Sequence, residues 1–127
     1  KIWVALAGPA SNFIMALAWA MALIVLAGLG VQERFFVEMC RAGVLVNVVM
    51  FALNMFPLPP LDGGRIVTGL LPPRLAIPYS RVEPWGFFIV MGLIVAGVLS
   101  TLWMRPVMSL TYGALNLLLS PITALLR

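Results

Sequence analysis

Asp62 is the side chain from which chemistry is most easily argued. It lies in NMFPLPPLDGGRI, Asn54 to Ile66, directly after an almost unbroken apolar run, with Pro57, Pro59 and Pro60 before it and Arg65 after it. At the end of a greasy helix a carboxylate can be a turn acid or helix cap at the water boundary, or it can hold an ion, a proton or a metal. The residues alone leave both open. The prolines add weight to the second, because a surface turn needs no rigid lead-in. Each removes a backbone donor and biases its predecessor away from the α region, so a helix should end near Phe56 and give way to a non-helical break over 57–64. Backbone of that kind at membrane depth must be buried in protein or line a wet cavity. Asp62-Gly63-Gly64 then reads as a turn, with Gly63 free to approach a partner closely.

The remaining polar candidates are amides: Asn12, Asn47, Asn54 and Asn116. Asn47 and Asn54 are seven apart, hence nearly on one helix face. For Asn47 and Asn116 the ordinary account is an interhelical hydrogen bond, worth about 1 kcal/mol. Asn12 sits in AGPASN, where Pro9 frees a carbonyl near Ala5 and Gly8 thins the helix face one turn away, so a polar, accessible notch is expected there. The chain has no histidine, and Cys40 is its one cysteine, which excludes an internal disulfide.

The elements that must position these groups are apolar helices. Hydrophobic residues make up 63% of the 127 and charged residues 9%, and the mean hydropathy is +1.11, which marks a membrane protein. The acids Glu33, Glu38, Asp62 and Glu83 and all the bases fall at the edges of apolar runs or between them. The bases are scattered singly and form no stripe, so nucleic acid is excluded as a partner despite the net charge of +4.

A span needs about 20 apolar residues. Segments at about 4–31, 42–57, 84–104 and 106–126 meet or approach that length, giving an all-α, polytopic transmembrane bundle of three to four spans. Between them lie a polar link, QERFFVEMCR, and a loop from Asp62 to Glu83 in which Arg65, Arg74, Arg81 and Glu83 are expected to be solvated. Almost nothing separates the last two segments, so either Thr101 to Arg105 forms the turn or the final segment lies in the interface. If all four cross, Lys1, Arg65, Arg74, Arg81 and Arg127 share one side and Arg34, Arg41 and Arg105 the other, which favours the first side as cytoplasmic. Small residues at Gly8, Asn12, Ala16 and Ala20, and again at Gly92, Ala96 and Ser100, are expected to be helix-packing faces. Tyr79, Trp85, Phe87 and Phe88 at a span entry read as an aromatic belt. Lys1 stands just before an apolar run with no signal-peptide pattern, so the sequence reads as an internal piece of a longer chain.

AGPASNF, Ala7 to Phe13, followed some forty residues later by NMFPLPPLDGGR, resembles the site-2 protease family of intramembrane zinc metalloproteases, in particular its bacterial members. That family carries a helix with HExxH, then one opening with GPxxN, then one ending in NxxPxPPLDG. The last two parts match at Gly8, Pro9 and Asn12, and at Asn54, Pro57, Pro59, Pro60, Leu61, Asp62 and Gly63. The resemblance implies that Asp62 is the third ligand of a single Zn2+ and that Asn12 and Asn54 are active-site amides able to hold substrate backbone or a developing oxyanion. It further implies that Pro57, Pro59 and Pro60, with Gly8 and Gly63, border the substrate cleft, where an extended edge could pair with an unwound substrate strand. The implied substrate is a transmembrane protein cut in regulated intramembrane proteolysis, and the implied location is a bacterial inner membrane.

HExxH, with its two ligands and its general base, is absent from these residues, and Asp62 alone cannot hold catalytic zinc. By family order, the two histidine ligands are expected upstream of Lys1, which makes 1–127 the C-terminal part of a protease domain. Two alternatives stand beside this reading. One is a pseudoprotease that binds membrane helices without cutting them. The other is a small transporter or channel subunit with Asp62 as its ion site.

Overall fold

The computed structural model describes residues 2–126. Helix α1, Ile2–Gly28, and helix α2, Arg34–Asn54, form an antiparallel hairpin. At about 1.5 Å per residue they run roughly 40 and 32 Å, long enough to cross a hydrocarbon core. Gly30, with φ of 74°, makes the turn between them. The hairpin is in register along its length: Trp19 lies flat on Gly43, Ala16 packs with Val44 and Val48, and the rings of Phe13 and Phe51 are 5.6 Å apart. Ala16 and Val48 are fully buried, so the first small-residue stripe is a packing face at Ala16.

The polar link is mostly helix. Arg34 opens α2, and Glu38 and Arg41 lie one turn apart on its surface and pair at 3.4 Å. Such i,i+3 pairs give modest support to exposed helical turns.

After α2 the chain runs irregularly over 55–61 and enters α3, Asp62–Leu70, and then α4, Pro73–Ser80. Two short helices thus replace the expected loop, and Asp62-Gly63-Gly64 is the first turn of α3 rather than a free turn. Pro73 begins α4, where its missing N–H costs nothing.

Helix α5, Glu83–Val95, is 13 residues long, about 20 Å, and too short to span. The expected continuous helix over 84–104 is broken at Gly97, whose φ of 76° no helix accommodates. The chain then takes a π-helical turn, Ser100–Met104, that runs straight into α6, Arg105–Leu125. The bend therefore falls before residue 101, and Ser100–Leu125 forms one apolar helix of 26 residues. Among the described residues three helices, α1, α2 and the one ending in α6, are long and apolar enough to cross a membrane.

This three-span arrangement moves Arg105. Leu126 lies against Gly28, at the α1–α2 turn, while Trp103 lies at the far end of α2. Arg105 accordingly sits at the same end as Arg65, Arg74 and Arg81, opposite Arg34 and Arg41. Lys1 and Arg127, placed with the first group from sequence, lie outside the described residues. The second small-residue stripe, unlike the first, is not a packing face: Ala96 and Ser100 are exposed, and a Cβ on Gly92 would meet nothing. The core is instead the α1–α2–α6 junction, where Leu115 of α6 joins Ala16, Val44 and Val48.

Candidate metal-ligand site

The site begins with the segment that delivers Asp62. Helix α2 stops at Asn54 because Pro57, Pro59 and Pro60 supply no backbone donors to continue it. At the stop, Phe56 N–H bonds to Leu53 rather than to Ala52. The Ala52 carbonyl is taken by the indole N–H of Trp103 at 2.8 Å. Phe56 also meets the Trp103 ring edge-on at 5.3 Å.

The irregular run is held from several sides. A Cβ at Gly63 would strike the carbonyls of Met55 and Phe56, and one at Gly64 would strike the Leu58–Pro59 peptide. From α5, Gly86 presses on the Pro59 carbonyl with equally little room. The Tyr79 hydroxyl donates to the Pro57 carbonyl. Burial raises the pKa of that phenol above its ordinary value. Pro59 is fully buried as a result.

Residues 57–61 possess two backbone N–H groups, and both are used internally: Leu58 bonds to Phe56 at 2.8 Å and Leu61 to Leu58 at 3.0 Å. With the Pro57 carbonyl engaged by Tyr79, the run is a clasped strap and offers no donor to an incoming strand. The expected strand-pairing edge is not formed here, because the prolines fold the chain into turns instead of extending it.

The strap aims Asp62 at α1. One of its carboxylate oxygens lies so close to Gly8 that any Cβ there would overlap it. Asp62 also lines a cavity of about 590 Å³ together with Val4, Ala5, Pro59, Arg65 and Glu83, among others. Pro9 deprives the buried Ala5 carbonyl of its intrahelical donor, and Ala5 lines this cavity, whereas Gly8 and Asn12, where a polar notch is expected, are not among its lining residues. Among the described residues the Asp62 carboxylate accepts no hydrogen bond and joins no ion pair. Arg65, one turn along α3, turns away to Glu83 at 3.4 Å.

The amides are placed less completely. Asn12 is half-buried one turn beyond Gly8, and its Nδ2 donates back to the Gly8 carbonyl at 3.3 Å. Asn54, also half-buried, lies one turn beyond Phe51, which puts it near Pro9 and Ala10 in the antiparallel register. No hydrogen bond joins Asn12, Asn54 and Asp62 among the described residues. Asn47 bonds within its own helix, to Gly43 O at 2.8 Å, and Asn116 is exposed; neither makes the expected interhelical bond.

Tyr79, expected in an aromatic belt, instead holds the strap at Pro57, and Trp103, for which the sequence carries no signal, holds the end of α2 and Phe56 that lead into it. Trp85, Phe87 and Phe88 do remain exposed. The one local signal was Gly86, a glycine at the start of an apolar helix, where close approach is its usual purpose.

The family described as Peptidase family M50 matches residues 31–97, a stretch containing Asn54, the strap and Asp62. A Bacillus subtilis (strain 168) protein named "Putative zinc metalloprotease YwhC" is 32% identical over 103 residues, covering 74% of this chain and 45% of the relative. The chain belongs to peptidase family M50, the site-2 protease family. No solved structure matches it. This M50 chain spans less than half the length of that relative.

The family implies zinc, and the donor set can be tested against it. A catalytic zinc takes three protein ligands. Among the described residues no three His, Cys, Asp or Glu come together. Asp62 fits as one ligand: its oxygen donors are of the right type, unpartnered and open to a cavity. Among the described residues of the M50 chain, Asp62 is a candidate for one ligand and no complete donor set is present.

Proposed function

We propose that these residues form the part of an intramembrane zinc metalloendopeptidase that supplies one metal ligand, Asp62, and the cleft wall around it. The observation that carries the reading is a carboxylate fixed against Gly8 at the mouth of a 590 Å³ cavity with no partner of its own. A half-buried, unpaired acid packed against an apolar helix is a functional-site candidate.

The remaining ligands and the general base come from protein outside these 127 residues, which contain no histidine. Zinc, when bound, supplies Lewis-acid activation of water. This chain's residues do the positioning. Gly8 leaves room for the carboxylate, and the strap of Pro57, Pro59 and Pro60, clasped by Gly63, Gly64, Tyr79 and Gly86, fixes the start of α3 that bears it. Asn12 and Asn54 lie toward the same end of the α1–α2 hairpin, where their amides would hold the substrate backbone. The substrate is a transmembrane segment of another protein. Arg65, Arg74, Arg81 and Arg105 at the Asp62 end, against Arg34 and Arg41 at the other, favour a cytoplasmic placement of the site in a bacterial inner membrane.

The test is zinc content and cleavage of a membrane-helix substrate by the full-length protein in detergent, beside Asp62→Ala. About one zinc per chain, with metal and cleavage both lost in the variant, is the expected result. A full-length protein that holds no zinc and cleaves nothing would overturn the reading in favour of a helix-binding pseudoprotease or an ion site.

A further inference from the structure

The Asp62 cavity contains a second acid and a base that the proposed metal chemistry does not use. Arg65 stands three residues after Asp62 in α3, so the two side chains are neighbours on one helix face, at a spacing where an Asp–Arg pair forms readily. All three groups, Asp62, Arg65 and Glu83, line the same cavity. Arg65 nevertheless reaches to Glu83, 18 residues away at the start of α5, with Nη2 to Oε1 at 3.4 Å. Asp62 is left without a cation.

We infer that Glu83 is a positioning residue that draws the Arg65 guanidinium away from Asp62 and so keeps the Asp62 carboxylate available as a ligand. The inference rests on the reading of Asp62 as a metal ligand. A carboxylate engaged by a guanidinium has its lone pairs occupied and its charge partly neutralised, and must break that pair before it binds a cation. Glu83 offers Arg65 an alternative carboxylate. Its location is set by the same contact that closes the strap, since Gly86, one turn on in α5, is pressed against Pro59. Glu83 itself is at the solvent side of the cavity and half-exposed, as is Arg65. It acts on the site through Arg65 and touches neither metal nor substrate.

The experiment measures zinc retention by the full-length protein against a competing chelator, a readout independent of cleavage, for Glu83→Gln, Arg65→Gln, the double variant and Asp62→Ala. Thermal unfolding in detergent accompanies each to establish that the fold persists. Glu83→Gln is expected to release Arg65 onto Asp62 and to weaken zinc retention about fivefold, the scale of a partly exposed ion pair. Arg65→Gln, which removes a guanidinium already directed elsewhere, is expected to stay within about twofold of the unaltered protein, and the double variant likewise.

If Glu83→Gln holds zinc as well as the unaltered protein, or if the double variant is no better than Glu83→Gln, the inference is overturned. If Arg65→Gln tightens zinc by as much as Glu83→Gln loosens it, the two charges act only through their general field, and the inference is overturned again. These results are separable from failure of the underlying reading. Loss of zinc in Asp62→Ala without an effect of Glu83→Gln sinks the positioning role alone, whereas an Asp62→Ala protein that keeps its zinc sinks both.

Discussion

Trp103, in the π-helical turn before α6, donates its indole N–H to the Ala52 carbonyl at the end of α2, at 2.8 Å across 51 residues of chain. That carbonyl is one of those a helix end leaves without an intrahelical partner, and here the neighbouring Phe56 N–H has turned to Leu53. Trp103→Phe retains the edge-on contact with Phe56 and removes only the donor. The expected cost is about 1 kcal/mol, the scale of one net hydrogen bond. Unfolding of the full-length protein in mixed detergent measures it, and an unchanged midpoint would mean that the bond contributes nothing.

Two glycines of α5 make an internal comparison. A Cβ at Gly86 would meet the Pro59 carbonyl, backbone that cannot swing aside, whereas a Cβ at Gly92 would meet nothing. Gly86→Ala is expected to destabilise by about 1–3 kcal/mol through overpacking. Gly92→Ala should be neutral or stabilising by up to about 1 kcal/mol, since alanine is the better helix former. Equal behaviour of the two in thermal unfolding would show that the α5–strap contact is not maintained in the membrane.

Gly8→Ala bears directly on the site. The added methyl would occupy the position of an Asp62 carboxylate oxygen, so the acid must move or the helices must part. Zinc content of the purified full-length variant is expected to fall well below one per chain, with cleavage falling in proportion, while the melting temperature moves by only a few degrees. Retention of metal and activity would mean that Asp62 is not held by this approach.

Much of this is legible in the sequence. The helical class and the run lengths follow from hydropathy, because lipid leaves helices as the ready solution for apolar stretches of this length. The strap and Asp62 follow from proline and glycine chemistry. What hydropathy could not give is the break at Gly97: VMGLIVAGVLS is apolar throughout, and only the backbone shows that Gly97 takes a positive φ. Similarly, Pro72, Pro73, Pro78 and the arginines made 62–83 read as a loop, although Pro73 at a helix start is compatible with α4. Contacts such as Tyr79 with Pro57, 22 residues apart, leave no periodic trace.

Tyr79 also makes the strap sensitive to alkali. Burial disfavours the phenolate, which raises the pKa of Tyr79 above 10.0 in the folded protein. The folded state therefore holds this proton more tightly than the unfolded chain. The corresponding stability is fully present below the unfolded pKa and is lost as pH rises through the folded one. Ionisation also removes the donor to the Pro57 carbonyl. The chain has two tyrosines, so the phenolate absorbance of the unaltered protein minus that of Tyr79→Phe isolates this group. Its midpoint is expected above pH 10, with the unaltered protein losing unfolding stability over that range more steeply than the variant. A midpoint at or below the ordinary tyrosine value, or parallel alkaline stability of the two proteins, would show that the Tyr79 hydroxyl is solvated and that the strap is held by its glycine contacts alone.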